Sequence, residues 1–486
     1  MEVQEKELEL LQTIHKNSHV RQRDLARIIG VSLGMTNSII KRLVTKGWLK
    51  IKKINNRKIM YAVSAEGIEA IMRRSYRYFK RTIKNVVDYK EAMLKLVEKI
   101  KQEGYRGIRL IGKSDLDFII EHCCHISREK VMAKKITIIG TGYVGLISAV
   151  GLADFGHNVT GVDINKIVVD TLNRGRPHIY ETGLRDYLHK NLDSGRLTFS
   201  TDAAASIRDA EVIFISVGTP SNGDGSADLS QLFQAADDIK NNLNGYKVVV
   251  IKSTVPVGTN RKVADRLAAD GTAVDVVSNP EFLREGKAIQ DFFHPDRIII
   301  GVESERAKSV MQDIYRSLYL IQTPVVWCNL ETAELIKYAG NAFLASKITF
   351  INQMANLCDA VGAYIHAIAK AMGMDGRISP KFLHPGPGFG GSCFPKDLRA
   401  LAAMGEERGV RMSLVREVIQ ANHAQKLLVI EKLKDLLGTL NGKTVAVLGL
   451  AFKAETDDVR ESPAVSIVDG LLRAGCRINA HDPIAM

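Results

Sequence analysis

The chain has 486 residues, a formal charge of +13, and 45% hydrophobic and 25% charged residues, a balance that suits about three soluble globular domains and excludes fibrous or extensively disordered classes. No run of 18 apolar residues occurs, and the first 20 residues mix acids and bases, so neither a membrane span nor a secretory signal is expected and the expected compartment is the cytoplasm. Residues 1–132 hold 28 Lys/Arg against 15 Asp/Glu, whereas the remainder balances 39 against 39. The whole basic excess therefore belongs to a first module suited to a polyanion, followed by a module with a different partner.

Within residues 1–68, RDLARIIG places Leu25, Ile28 and Ile29 on one helical face and stops at Gly30. Ser32 then offers an N-cap to a second helix that buries Ile39, Ile40 and Leu43. WLKIKKI and KIMYAV flank Asn55-Asn56, a hairpin signal. Helix, turn, helix and hairpin over residues 5–67 resemble the winged helix-turn-helix of bacterial regulators related to multiple-antibiotic-resistance repressors. The resemblance implies double-stranded DNA as a partner. Gly34, Met35, Asn37, Ser38, Lys41 and Arg42 would face the major groove, and Arg57 and Lys58 on the wing would neutralise phosphates. The alternative is a solvated basic face on a protein-binding winged helix. Residues 69–131 read as a basic helical segment and linker. His122-Cys123-Cys124-His125 within it puts its ligands too close together to wrap one tetrahedral ion, so no metal is expected.

At Met132 the pattern changes to a buried strand, a glycine-rich turn, an apolar helix and a second strand ending in an acid: KKITIIGTGYVGLISAVGLADFGHNVTGVDIN. Gly140, Gly142 and Gly145 fit the dinucleotide-binding spacing, with Gly140 for the tight turn, Gly142 for close approach of a pyrophosphate and Gly145 for helix–strand contact. Asp163 would accept from a ribose 2′-hydroxyl, which favours NAD over NADP. Further on, a long helix carries Lys337 and Asn341 four residues apart, on one face. In HPGPGFGGSCFPKDLRALAAMG a glycine-rich loop leads Cys393 into a helix N-terminus, and the dipole and the nearby Lys396 are expected to favour its thiolate. Asp397 returns to the same face. An NAD fold with a nucleophilic cysteine suggests oxidation of a primary alcohol to a carboxylate through a thiohemiacetal and a thioester.

GTGYVG, YETGL, SVGTP, NPEFLREG, ELIKYAGNAF, GFGGSCFPKD and GLAFKAETDDVRESP, in this order, resemble the UDP-glucose/GDP-mannose dehydrogenase family over residues 133–486. Phenylalanine after the cysteine makes the UDP-glucose 6-dehydrogenase branch the nearest match. The resemblance implies an α/β architecture: a Rossmann NAD-binding domain over 132–325, a helical central and dimerisation domain over 326–425, and an incomplete second Rossmann-like UDP-binding domain over 426–486.

It also implies roles. Cys393 would be the nucleophile, Lys337 and Asn341 would stabilise oxyanions, Glu281 would be the acid/base, and Thr219 and Asp397 would hold a water. NAD would lie against Gly140, Gly142, Tyr143, Val144, Gly145, Asp163, Lys166, Thr219, Glu285, Lys396 and Arg460. UDP-glucose would contact Phe282, Leu283, Arg284, Lys337, Asn341, Phe382, Gly391 and Lys453, with Arg377 donated across a homodimer built on the central helix. Two departures from the family pattern stand out. The sequence stops at Met486, where the family continues to complete its last sheet, so an exposed apolar edge is expected; and the family does not usually carry a winged helix. The expected function is NAD-dependent oxidation of UDP-glucose to UDP-glucuronate, fused to a DNA-binding module. The competing readings are a regulator whose dehydrogenase remnant senses NAD or a nucleotide sugar, a related nucleotide-sugar dehydrogenase, and a join of two neighbouring genes.

Overall fold

The computed structural model describes residues 6–7, 10–11, 13–14, 22–55, 58–64, 66, 133–268, 273–319 and 323–485. The chain divides into two compact units, Met1–Met132 and Ala133–Met486.

In the first unit, α1 (Gln22–Ile28) and α2 (Leu33–Thr45) precede β1 (Leu49–Asn55) and β2 (Lys58–Val63), which pair antiparallel. Ser32 caps α2, its Oγ accepting from the Met35 amide at 3.2 Å. The helix buries Ile39, Ile40 and Leu43 against Leu25, Ile29, Leu49 and Tyr61, with Leu10, Leu11 and Ile14 from a preceding helical segment. This is the helix-turn-helix with hairpin that the sequence leads one to expect. The basic stretch after Glu66, with Cys123 and Cys124, lies outside the described residues.

The second unit is built on an eight-stranded sheet in the order β10-β9-β8-β7-β6-β3-β4-β5. Its strands are β3 (Lys135–Ile139), β4 (Asn158–Val162), β5 (Leu197–Ser200), β6 (Val212–Ile215), β7 (Lys247–Ile251), β8 (Val274–Ser278), β9 (Ile298–Gly301) and β10 (Val325–Cys328). All neighbours run parallel except β8 and β9, which meet antiparallel at Ser278 and Gly301. Successive side chains of a strand point to opposite faces, and both faces here are buried. Thus Val212 and Phe214 enter one core with Leu146 and Val150 of α3 (Tyr143–Asp154), while Ile213 and Ile215 enter the other with Leu232 and Val263. The strand order reverses between β3 and β6, which opens a crevice at their carboxyl ends.

The chain then leaves the sheet in α4 (Leu330–Val361), which packs on α5 (Phe394–Glu407) and α6 (Ser413–Leu437) around Tyr338, Ala342, Ala345, Leu398, Leu401 and Val415. A last pair of parallel strands, β11 (Thr444–Leu448) and β12 (Arg477–His481), is joined through α7 (Pro463–Arg473). Leu448, at the end of β11, is 81% exposed.

One buried carboxylate fixes α4 to the sheet layer. Glu334 accepts from the amides of Gly258 at 2.6 Å and Asn260 at 2.7 Å, and from Asn260 Nδ2 at 2.6 Å. These are the free donors at the start of helix Thr259–Ala268, where a negative charge is favoured. Glu334→Ala leaves those donors buried and unsatisfied, at about 1–3 kcal/mol for each such group. We predict a lower melting temperature for that variant, with Glu334→Gln intermediate, measured by thermal unfolding.

Candidate active site

Gly140 follows β3 and adopts φ +90°. A Cβ there would meet the Ser216 carbonyl oxygen at 2.9 Å, and a Cβ at Gly145 would lie 1.8 Å from the Gly140 carbonyl oxygen, so neither position admits a side chain. Gly142 caps α3 without a side-chain bond, and nothing stands within 4 Å of where its Cβ would be. Tyr143 and Val144 open the helix beside it. Open space over a helix N-terminus at the sheet's crevice fits a pyrophosphate. At the end of β4, Asp163 accepts from Thr141 N (3.1 Å) and Oγ1 (2.8 Å), and its other oxygen accepts from the Asn165 amide at 3.0 Å. This carboxylate is therefore fixed beside the glycine loop, in the place that suits a ribose. Lys166 is exposed at the start of the following helix. These residues fit NAD.

A second cluster forms where α4 crosses the loop after β8. Lys337 is 4% exposed and donates to the Glu281 carbonyl oxygen at 2.7 Å and to Glu281 Oε1 at 2.9 Å; Glu281 Oε2 accepts from the Leu283 amide at 2.6 Å. Burial by itself raises the Glu281 pKa, but the Lys337 ammonium outweighs it and holds the carboxyl below its ordinary value. Burial likewise opposes the Lys337 charge, and Glu281, Cys393 and Asp397 outweigh that. One turn on, Asn341 Nδ2 donates to Asp397 Oδ2 at 2.7 Å, and Lys396 donates to Asp397 Oδ1 at 2.6 Å.

Cys393 is the N-cap of α5, next to Ser392, whose Oγ lies 3.6 Å from the sulfur. The sulfur feels the charges of Glu281, Lys337 and Asp397, so Cys393 and the two α4 side chains belong to one cluster. The expectation of a favoured thiolate is corrected here. Burial, then Glu281 and Asp397, raise the thiol pKa, and Lys337 and Ser392 lower it less. Lys396 is committed to Asp397 instead.

The remaining candidates are placed as follows. Thr219 donates Oγ1 to the Thr254 carbonyl oxygen at 2.8 Å, so its hydroxyl proton is already used. Glu285 accepts from Ser392 Oγ at 3.1 Å and Thr456 Oγ1 at 3.2 Å and faces Arg460 at 3.7 Å. Burial, then Asp458, push its pKa up. The Phe282 ring lies under Lys337 and Arg297, Leu283 is half-buried, and Arg284 pairs with Asp291. Phe382 stands 6.3 Å from Phe394, ring to ring, and the Gly391 amide donates to the Arg460 carbonyl oxygen at 2.9 Å. Lys453 stands over Phe452, and Arg377 is 89% exposed and pairs only with its neighbour Asp375 among the described residues.

Two contributors escaped the sequence reading. Glu181, in the YETGL motif, accepts from Tyr143 Oη and from the amides of Gly286 and Ala288, both at 2.8 Å, and so ties the glycine-loop helix to the loop of Glu285. Its signal was an acid inside a recognised motif. Lys252, directly after β7, is 5% exposed and donates to Asn279 Oδ1 at 3.1 Å; no local pattern announces it. Among the described residues, no group of three His, Cys, Asp or Glu side chains could hold a metal ion, and no helix is long and apolar enough to cross a membrane.

In the first unit, Gly34, Met35, Ser38, Lys41 and Arg42 are exposed on α2 and Asn37 is half-buried. Arg42 lies 3.5 Å from Glu7, an acid at the edge of the expected DNA face. Arg57 and the Lys58 side chain lie outside the described residues.

The thiol yields a direct test. Alkylation of Cys393 by iodoacetamide should titrate with a midpoint above that of an ordinary exposed cysteine thiol. Asp397→Asn removes a charge that raises it, so the midpoint should fall; Lys337→Met should raise it further. Mass spectrometry of the labelled peptide against pH reads all three.

Three segments match models of the UDP-glucose/GDP-mannose dehydrogenase family: its NAD binding domain over residues 134–319, its central domain over 331–424 and its UDP binding domain over 446–486. Residues 4–50 match a winged helix-turn-helix DNA-binding model. The chain is 50% identical over 358 residues to a UDP-glucose 6-dehydrogenase of Rhizobium meliloti (strain 1021), covering 72% of this chain and 82% of that one. It is 46% identical to a UDP-glucose 6-dehydrogenase of Bacillus subtilis (strain 168), covering 73% and 77%. A UDP-glucose dehydrogenase structure from Pyrobaculum islandicum superposes with a TM-score of 0.71 at 44% identity, covering 73% and 83%. The glycine loop, the Lys337–Glu281 and Asn341–Asp397 pairs and Cys393 thus sit within matched segments, and the chain belongs to the UDP-glucose/GDP-mannose dehydrogenase family, an NAD-dependent oxidoreductase family.

Proposed function

We propose that residues 133–486 oxidise the C6 alcohol of UDP-glucose to the carboxylate of UDP-glucuronate, in the cytoplasm, with Cys393 as nucleophile. The observation that carries this reading is the convergence of one cysteine, one buried ammonium and two carboxylates in the Cys393–Lys337–Glu281–Asp397 cluster. The glycine loop at Gly140, Gly142 and Gly145 and the Asp163 carboxylate would hold NAD, which would supply the hydride acceptor for C6 at the alcohol and again at the thiohemiacetal. Between these transfers Cys393 Sγ bonds to C6 of the aldehyde, its proton passing to a carboxylate of the cluster or to water. Lys337 and Asn341 donate to the oxygen that gains charge. After the second transfer C6 is a thioester; water adds, the C–S bond breaks and Cys393 regains its proton. The balance is one UDP-glucose, two NAD+ and one water in, and one UDP-glucuronate carboxylate, two NADH and three protons out. The four described cysteines are free, which agrees with a reducing compartment.

We also propose that α4 forms a homodimer and that α2 reads DNA. Leu335, Phe343, Phe350, Leu357 and Val361 are 45, 67, 45, 53 and 65% exposed along one helix, an apolar stripe that a second copy would cover. Arg377, 89% exposed and paired with Asp375, would exchange that partner for a group in the second copy's site. Met35, Ser38 and Lys41 are exposed on the helix that leads a winged helix into the major groove.

NADH absorbance at 340 nm should rise by two equivalents for each UDP-glucose, and Cys393→Ser should form no UDP-glucuronate. Turnover to the acid by that variant would exclude the thioester route. Binding of duplex DNA should weaken steeply between 50 and 200 mM salt, and Lys41→Glu should lower it at every salt concentration. Salt-independent or absent binding would favour a protein-binding winged helix.

A further inference from the structure

Lys252 takes no part in the reaction as proposed above, yet it places an ammonium group in the interior of the same unit. It follows β7, is 5% exposed, and donates to Asn279 Oδ1 at 3.1 Å with Tyr315 Oη at 3.5 Å. Asn279 is 1% exposed and fully committed: Tyr315 Oη donates to the same Oδ1 at 2.5 Å, and Nδ2 donates to the Ile299 carbonyl oxygen at 2.9 Å. The lysine therefore rests on neutral acceptors with no carboxylate in hydrogen-bond reach among the described residues. Burying an ammonium on such terms is costly, and an apolar side chain of the same length would fill the space without that cost.

The charge has a recipient close by. Asn279 precedes Glu281 by two residues, and the charged and titratable groups around Lys252 are Glu281 on the loop after β8, Lys337 on α4 and Tyr315 after helix Glu305–Ile314. Glu281 is the one anion of this set, held already by Lys337. We infer that Lys252 is a positioning residue for the reaction: its ammonium, anchored on Asn279 and Tyr315, acts with Lys337 to keep the buried Glu281 carboxylate ionised. This rests on the reaction proposed above, with Glu281 as the cluster carboxylate that takes up the proton. The geometry supports it: the buried Lys252 ammonium sits on the side chain of Asn279, two residues before Glu281, with Tyr315 on its other side. In keeping with that placement, Lys252 adds to Lys337 in lowering the Glu281 pKa against burial, and burial pushes Lys252 itself down to about 8, with Glu281 opposing and Lys337 adding to that shift. The group thus keeps its proton through neutral pH and is present when Glu281 must be charged.

Removing a cation near a carboxylate raises the carboxylate pKa, so the acid limb of kcat/KM moves to higher pH. The test measures that limb in the full-length protein with UDP-glucose and NAD. Lys252→Gln keeps a donor for Asn279 and Tyr315 and loses only the charge; we expect its acid limb to rise by about one pH unit, a tenfold loss of activity on the acid side. Lys252→Met should shift it at least as far, and Lys252→Arg should restore the wild-type position. A Lys252→Gln profile that falls uniformly with its limb unmoved, or does not change, overturns the inference. Glu281→Gln separates this failure from a failure of the underlying reading: loss of the limb in Glu281→Gln with no movement in Lys252→Gln rejects Lys252 alone, whereas a limb that survives Glu281→Gln rejects Glu281 as the ionising group.

Discussion

The buried Lys337–Glu281 pair is the contact on which the second unit's site depends. Each charge alone in the interior would cost several kcal/mol, and removing one partner of such a pair typically costs about 3–5 kcal/mol. The pair is therefore formed or the helix does not dock. Glu334, Lys337 and Asn341 recur at helical spacing and share one face of α4. Each reaches a different part of the chain: the amides before helix Thr259–Ala268, the Glu281 loop, and Asp397 on α5. One polar stripe on one helix thereby brings the crevice of the sheet and the cysteine of a distant helix into a single site, while Tyr338, Ala342 and Ala345 beside it fill the core.

Charge balance in that site explains why the thiol rests neutral. Glu281 is matched by Lys337 and Asp397 by Lys396. A thiolate at Cys393 would be one anion more in a largely buried cluster, which burial disfavours. The helix N-terminus and a lysine one turn away, which argue for a thiolate on sequence grounds, are outweighed because that lysine already neutralises Asp397. A neutral thiol suits the role proposed for Cys393, since the aldehyde it would attack forms only after a first oxidation. The proton needs to leave only when an oxygen that can take charge stands beside Lys337 and Asn341.

What the sequence made legible was local. The Ser32 cap and the 3.6-residue pattern gave α2, two alternating runs gave the hairpin, and the glycine spacing gave the turn between β3 and α3, where a side chain at Gly140 or Gly145 would strike backbone. The placement of Cys393 at a helix N-terminus was legible because a glycine-rich loop ends there and Pro395 suits the first turn. The unread residues act across long separations. Glu181 bonds to Gly286 and Ala288 more than a hundred positions away, and Lys252 meets Asn279 and Tyr315 from other strands and helices. Their meaning lies in pairings that only the folded sheet creates, as does the direction of the Cys393 shift, set by carboxylates from two other segments.

The last segment bears on the placement of Cys393 as well as on any nucleotide it binds. Glu285 joins Ser392, the residue before the cysteine, to Thr456 and Arg460 beyond β11. The Gly391 amide donates to the Arg460 carbonyl oxygen, and Lys426 donates to the Glu461 carbonyl oxygen at 2.9 Å. A Cβ at Gly390 would stand 2.4 Å from that same Glu461 oxygen, so the glycine loop lies directly against this segment. Asn422 clamps the other side of the loop through both the amide and the carbonyl of Phe389. The loop that delivers Cys393 has few backbone constraints of its own, being rich in glycine; its shape is set by partners at positions 285, 422 and 456–461. Changes around Arg460 and Glu461 thus act on the reactive sulfur through the backbone that carries it, even where they touch no substrate.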